Sequence, residues 1–113
     1  IVNLIRSYLS FEHVNQLIPP CPLAFLSTDI AHRDKHVKAS YEAVFNGMVT
    51  KLAQVLQGNV QQAQAARALA QQLVVNLVGT VSIARSLADP IAQQTLLDNT
   101  KERLISLMEK IQT

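Results

Sequence analysis

Tryptophan is missing from this 113-residue chain, cysteine occurs once, and Phe and Tyr together make up 4% of it. A lone cysteine excludes an intramolecular disulfide framework and a multi-cysteine metal site. Charge is also scarce: 16% of residues are charged, against roughly 25% in an average globular chain. A formal charge of +2 is too small to mark a nucleic-acid surface by electrostatics alone. What is plentiful is apolar side chain, 49% of the chain, and that argues against a disordered chain. The length fits one domain around one core.

Targeting and membrane segments are lacking too. Ile1-Val2-Asn3-Leu4-Ile5-Arg6 has no basic flank, apolar run or small-residue cleavage site. The longest uncharged stretch, between Arg67 and Arg85, carries Gln71, Gln72, Asn76, Thr80 and Ser82. It falls short of the roughly 20 mostly apolar residues of a spanning helix and reads as a buried helix. The default compartment is therefore the cytoplasm. Residue 1 is Ile and lies inside an apolar-periodic stretch. We expect a piece of a longer protein that begins mid-element.

Strand signals are absent. No period-two alternation is sustained, and the Asn46-Gly47 pair sits inside a helical pattern. Apolar residues recur at three and four, which predicts an all-α fold of about five helices. The first carries Val2, Ile5 and Leu9 and ends near Ser10. From Phe11 to Cys21 the chain reads as a loop or short turn, because Pro19, Pro20 and Pro22 disfavour a helix. A second helix starts at Pro22 behind Cys21 and stops around His32. A third follows Asp34, whose carboxylate suits an N-cap. Its apolar stripe is Val37, Tyr41, Val44, Phe45, Met48, Leu52, Val55 and Leu56. Gly58 closes it as a left-handed residue. Asn59, with Gln62 three residues on, opens a fourth helix that runs to about Leu87. Asp89 and Pro90 restart the chain into the last helix, Asp as cap and Pro at the first helical position.

Two long helices joined by Leu87-Ala88-Asp89 predict an antiparallel hairpin. The fourth helix is apolar on more than one face. Val74, Leu77, Val78, Val81 and Ala84 mark one stripe, and Val75, Gly79, Ser82 and Ser86 mark another. Small residues on the second stripe let another helix approach closely. One hairpin cannot bury both faces, so we expect a homodimer in which two hairpins form an intersubunit four-helix bundle. Leu97, Leu104 and Met108 of the last helix are assigned to the same interface. The alternative is that the second face packs on the chain's own helices.

Three stretches occur in a telling order: Tyr8-Leu9-Ser10-Phe11-Glu12-His13, then Cys21-Pro22-Leu23-Ala24-Phe25-Leu26, then Leu77 to Arg85 followed by Asp89-Pro90. Together they resemble the C-terminal domain of TetR-type bacterial transcriptional regulators, over essentially the whole chain. Pro20 stands where such members usually have Gly before the Cys-Pro pair. The resemblance implies α-helical homodimers that pair through their last two helices. It implies a small effector bound between helices, which releases the protein from operator DNA. It also implies an N-terminal helix-turn-helix domain, which is not in this chain. This half alone is then expected not to bind DNA specifically.

Tyr8, Phe11, Phe25, Tyr41, Phe45 and Met48 are the large or polarizable groups of the first three helices. Tyr41, Phe45 and Met48 share one stripe, and a mostly apolar pocket is what small-molecule sites look like. An ordinary core stripe is the alternative. With the resemblance, part of this stripe is expected to line an effector cavity, with Leu73, Val74 and Leu77 added from the fourth helix. His13 could exchange a hydrogen bond with the effector or serve as a structural histidine. Cys21 precedes a helix N-terminus, where the macrodipole favours thiolate, so a thiol-based sensor is an alternative to an inert capping thiol. His32 and His36 have ligand spacing with Asp29 a turn earlier, but a helix start at Asp34 separates them, so no metal is expected. No Ser-His-Asp set, Gly-rich phosphate loop or paired-carboxylate motif occurs, so neither enzymatic activity nor a cofactor is expected. A helical oligomerisation domain without a small-molecule site is the second reading of the whole chain.

Overall fold

The computed structural model describes residues 1–15, 33–58 and 63–112. Among these residues it has five α-helices and no strand, the all-α architecture that the periodicity predicts. They are α1 (Val2–Tyr8), α2 (Phe11–Val14), α3 (Lys35–Leu56), α4 (Ala63–Ala84) and α5 (Pro90–Gln112). The helix expected from Pro22 to His32, with Cys21 and Phe25, lies outside the described residues, as do Asn59 and Gln62. The chain forms two compact units, one of Ile1–Pro20 with Val75–Thr113 and one of Cys21–Val74. Helix α4 contributes its second half to the former and its first half to the latter.

In the first unit, α1 and α2 pack on α5. The core takes Ile5, Tyr8 and Leu9 from the N-terminal end, and Leu77, Val81 and Ala84 from α4. It takes Leu97, Leu104 and Met108 from α5. The segment read as a loop or short turn from Phe11 to Cys21 begins with a helical turn, Phe11–Val14. Ser10 is extended, and its Oγ accepts the backbone N–H of His13 at 3.2 Å. That bond satisfies one of the orphan donors of a helix start, which is why α2 forms ahead of the proline cluster.

Helix α4 ends at Ala84, earlier than Leu87. The N–H of Arg85 still reaches the carbonyl of Val81 at 3.0 Å. Ser86 and Leu87 then donate three residues back, to Ile83 and Ala84, at 2.9 and 3.1 Å. This tighter turn closes the helix. Asp89 caps α5 as expected, its Oδ1 accepting the N–H of Ile91 at 3.0 Å. Gln93 Nε2 donates to the carbonyl of Leu87 at 3.1 Å, and Thr80 Oγ1 lies 3.4 Å from Thr100 Oγ1. The two pairings run in opposite senses along the chain, so α4 and α5 form the antiparallel hairpin.

In the second unit, Asp34 caps α3, its Oδ1 accepting the N–H of Val37 at 3.1 Å. Val49, Leu52 and Leu56 are buried on α3, and Ala66, Ala70, Leu73 and Val74 on α4. Arg67 Nη1 donates to Thr50 Oγ1 at 3.3 Å across the two helices. Two expectations need correction. Val44 and Val55 are exposed, and Val49 takes the buried place beside Leu52. Gly58 is not left-handed: Gln57 keeps right-handed helical angles (φ −59°, ψ −27°) and donates to the carbonyl of Ala53. The helix therefore winds down without a reversal of hand.

Candidate functional site

The expected effector-lining residues divide between the two units. Tyr8, Phe11, His13 and Leu77 belong to the first, and Tyr41, Phe45, Met48, Leu73 and Val74 to the second. In the second unit, Tyr41, Phe45 and Met48 follow one another at four and three along α3 and therefore share a face. All three are half-buried, as is Val37 one turn earlier. Leu73 and Val74 on α4 are fully buried. The α3 stripe is large, apolar and incompletely covered, and it runs into the closed core at Val49 and Leu52.

In the first unit, Tyr8 and His13 come together. His13 is buried, and its Nδ1 lies 2.8 Å from the carbonyl oxygen of Tyr8. A carbonyl only accepts, so Nδ1 carries the proton and donates. The two rings meet edge to face with centroids 4.6 Å apart. His13 thus ties the end of α1 to α2, the structural alternative of the two roles considered for it. Phe11 opens α2 and is 42% exposed. Leu77 is fully buried.

The residues assigned to a partner face separate into two groups. Val75 is 52% exposed, Gly79 and Ser82 are half-buried, and Ser86 is exposed. Among the described residues, a Cβ built on Gly79 meets no heavy atom within 4 Å. Leu97, Leu104 and Met108, in contrast, are covered by the chain itself, at 0%, 4% and 1% exposure. They are core residues of the first unit within the single chain. Sequence reasoning missed Ile83, which is 57% exposed. Its place four residues after Gly79 was the available signal. Ile91 and Leu107 are exposed on α5.

A shallow depression of about 70 Å³ lies on α5, lined by Arg103, Ser106, Leu107 and Lys110. It is far smaller than the roughly 300 Å³ or more of a small-molecule site. His36 is exposed in the first turn of α3, beyond the Asp34 cap, while His32 and Asp29 lie outside the described residues. Among the described residues, no cluster of three His, Cys, Asp or Glu side chains could hold a metal ion. No described helix is long and apolar enough to cross a membrane. The chain matches no protein-family model, no curated protein and no solved structure.

Proposed function

We propose that this chain is the ligand-sensing and dimerisation part of a TetR-type transcriptional regulator. Operator DNA would be contacted only through a helix-turn-helix domain outside these 113 residues. The observation that carries the reading is the face of α4 formed by Val75, Gly79, Ser82 and Ile83. It combines exposed β-branched side chains with a glycine whose Cβ position meets no described heavy atom within 4 Å. Such a face suits close approach by the same face of a second copy, since a twofold pair is self-complementary. The half-buried Tyr41, Phe45 and Met48 support a small, mostly apolar effector as the ligand. On this reading the chain has no catalytic role and acts in the cytoplasm.

Sedimentation at micromolar concentration tests the dimer, and a monomer there would remove the main support. A thermal-shift screen with neutral aromatic and aliphatic compounds tests the effector site. If the chain is dimeric and nothing in a broad screen raises its Tm, a helical oligomerisation domain is the better description. The coding sequence upstream of Ile1 tests the rest, since any fold other than a helix-turn-helix there rejects the regulator.

A further inference from the structure

From Lys35 to Met48, no side chain of α3 is fully buried. Burial begins at Val49 and continues at Leu52 and Leu56. Asp34 caps the helix, but the first turn itself has no acidic residue, and Lys35 sits where the helix dipole disfavours positive charge. Gly47 lies in the helix interior, where glycine is the poorest former short of proline. A Cβ built there meets no described heavy atom within 4 Å. Few buried contacts and weak local propensity are the marks of a segment that opens on its own.

Asn46, exposed, immediately precedes this glycine. Every other asparagine in the chain is followed by a residue with a side chain. We propose that Asn46-Gly47 is a self-modification site gated by local opening of the first half of α3. The reaction is deamidation. The deprotonated backbone nitrogen of Gly47 attacks the side-chain carbonyl carbon of Asn46, and a five-membered succinimide forms. The bond to the side-chain nitrogen breaks, and ammonia leaves with the proton. Water then opens the ring at either carbonyl, giving an aspartyl or an isoaspartyl linkage at that position. No oxidant or cofactor takes part.

Glycine favours the attack because no Cβ crowds the nitrogen. The closed helix blocks it, since the N–H of Gly47 is held by the carbonyl of Ala43 four residues back. Helical backbone angles also keep the nitrogen away from the side-chain carbon. The product carries a new negative charge one residue from Phe45. In the isoaspartyl form the backbone is longer by one carbon, which breaks the helical hydrogen-bond register. Modification therefore disfavours reclosing and turns a reversible opening into a permanent one. This inference does not depend on the regulator reading.

The test is incubation of the full chain at mildly alkaline pH, beside a short unstructured peptide with the sequence around Asn46. Peptide mapping by mass spectrometry follows the amide-to-acid conversion at each asparagine. The expected result is conversion at Asn46 alone, slower than in the peptide and accelerated by urea below the global transition. Lys35→Glu removes the unfavourable first-turn charge and should slow conversion about two- to fivefold. Leu97→Ala, in the other unit, should lower global stability and leave the rate unchanged. Conversion as fast as in the peptide would show that α3 is no gate. A rate that follows global stability across both variants would remove the local opening. So would an unmodified chain after the peptide has passed through many half-lives.

Discussion

The Nδ1–H of His13 donates to the carbonyl of Tyr8 at 2.8 Å, and the same two residues meet ring edge to ring face. One side chain thus fixes the α1–α2 corner by a polar and an aromatic contact at once. Removing it leaves a buried carbonyl short of a donor and opens a cavity. His13→Ala is expected to cost about 2 to 3 kcal/mol. His13→Asn keeps a donor near the Nδ1 position and should cost less. Urea midpoints at constant m-value check the order, and an equal loss in both variants would argue against the hydrogen bond.

Carboxylates start two of the three long helices, α3 and α5. Asp34 Oδ1 accepts from Val37, and Asp89 Oδ1 accepts from Ile91. Asp34→Ala and Asp89→Ala should each lower stability by about 1 kcal/mol. The sites are far apart in sequence and share no hydrogen-bond partner, so the double variant should lose close to the sum. Thermal or urea unfolding of the three proteins decides it.

Leu97 is buried in the core and Ile83 is exposed on α4. Leu97→Ala should cost about 2 to 5 kcal/mol at any protein concentration, because the side chain is wholly covered within the chain. Ile83→Ser removes an exposed side chain and should change the stability of one chain by less than about 0.5 kcal/mol. On the dimer reading it should still weaken self-association. Sedimentation of the two variants over a range of concentration reads both effects.

Gly79 offers a test with opposite signs. Within a single chain, Gly79→Ala adds a methyl into open space and removes the helix penalty of glycine, a gain of up to about 1 kcal/mol. Against a close-packed second copy, the same methyl has no room and dimerisation weakens. A more stable chain with weaker self-association supports the paired face, and unchanged association refutes close packing at Gly79.

On the effector reading, a ligand effect should be confined to the α3 stripe. Phe45→Ala should reduce the thermal shift given by an apolar compound, while Val44→Ala, one position round the helix and exposed, should leave it intact. Both truncations affect a helix that is not fully buried at these positions, so the unliganded Tm should move little in either.

Caps and hairpin connection were legible in the sequence because their chemistry is local. Asp34, Asp89 and Pro90 act on groups within a few residues of themselves. Ser10 was equally local, but the prolines at 19, 20 and 22 dominated the reading of everything after it. Rotation of α3 was harder. Apolar residues at 44, 45, 48, 49, 52, 55 and 56 cover much of the helix circumference, and only the neighbouring helices decide that Val49 goes in and Val55 stays out. The partner of α5 was not legible at all. Leu97, Leu104 and Met108 recur at seven and four, a spacing that shows a helix is packed and is silent on whether the neighbour is the same chain. The Tyr41, Phe45 and Met48 stripe was visible as a face, but an open face and a core stripe have the same period.

Packing of α1 on α5 joins residues from opposite ends of the chain, whereas the α4–α5 hairpin joins segments separated by one short connection. Closing a long loop costs more entropy than closing a short one, and contacts distant in sequence form slowly. The hairpin is therefore suited to form first, with α1 docking onto it afterwards. During synthesis α1 leaves the ribosome early and waits for α5 to emerge. Until then Ile5, Tyr8 and Leu9 stay uncovered, and the His13 corner has little to brace against. This segment is made well before the helix it packs on, which leaves it open to chaperones and proteases until α5 emerges.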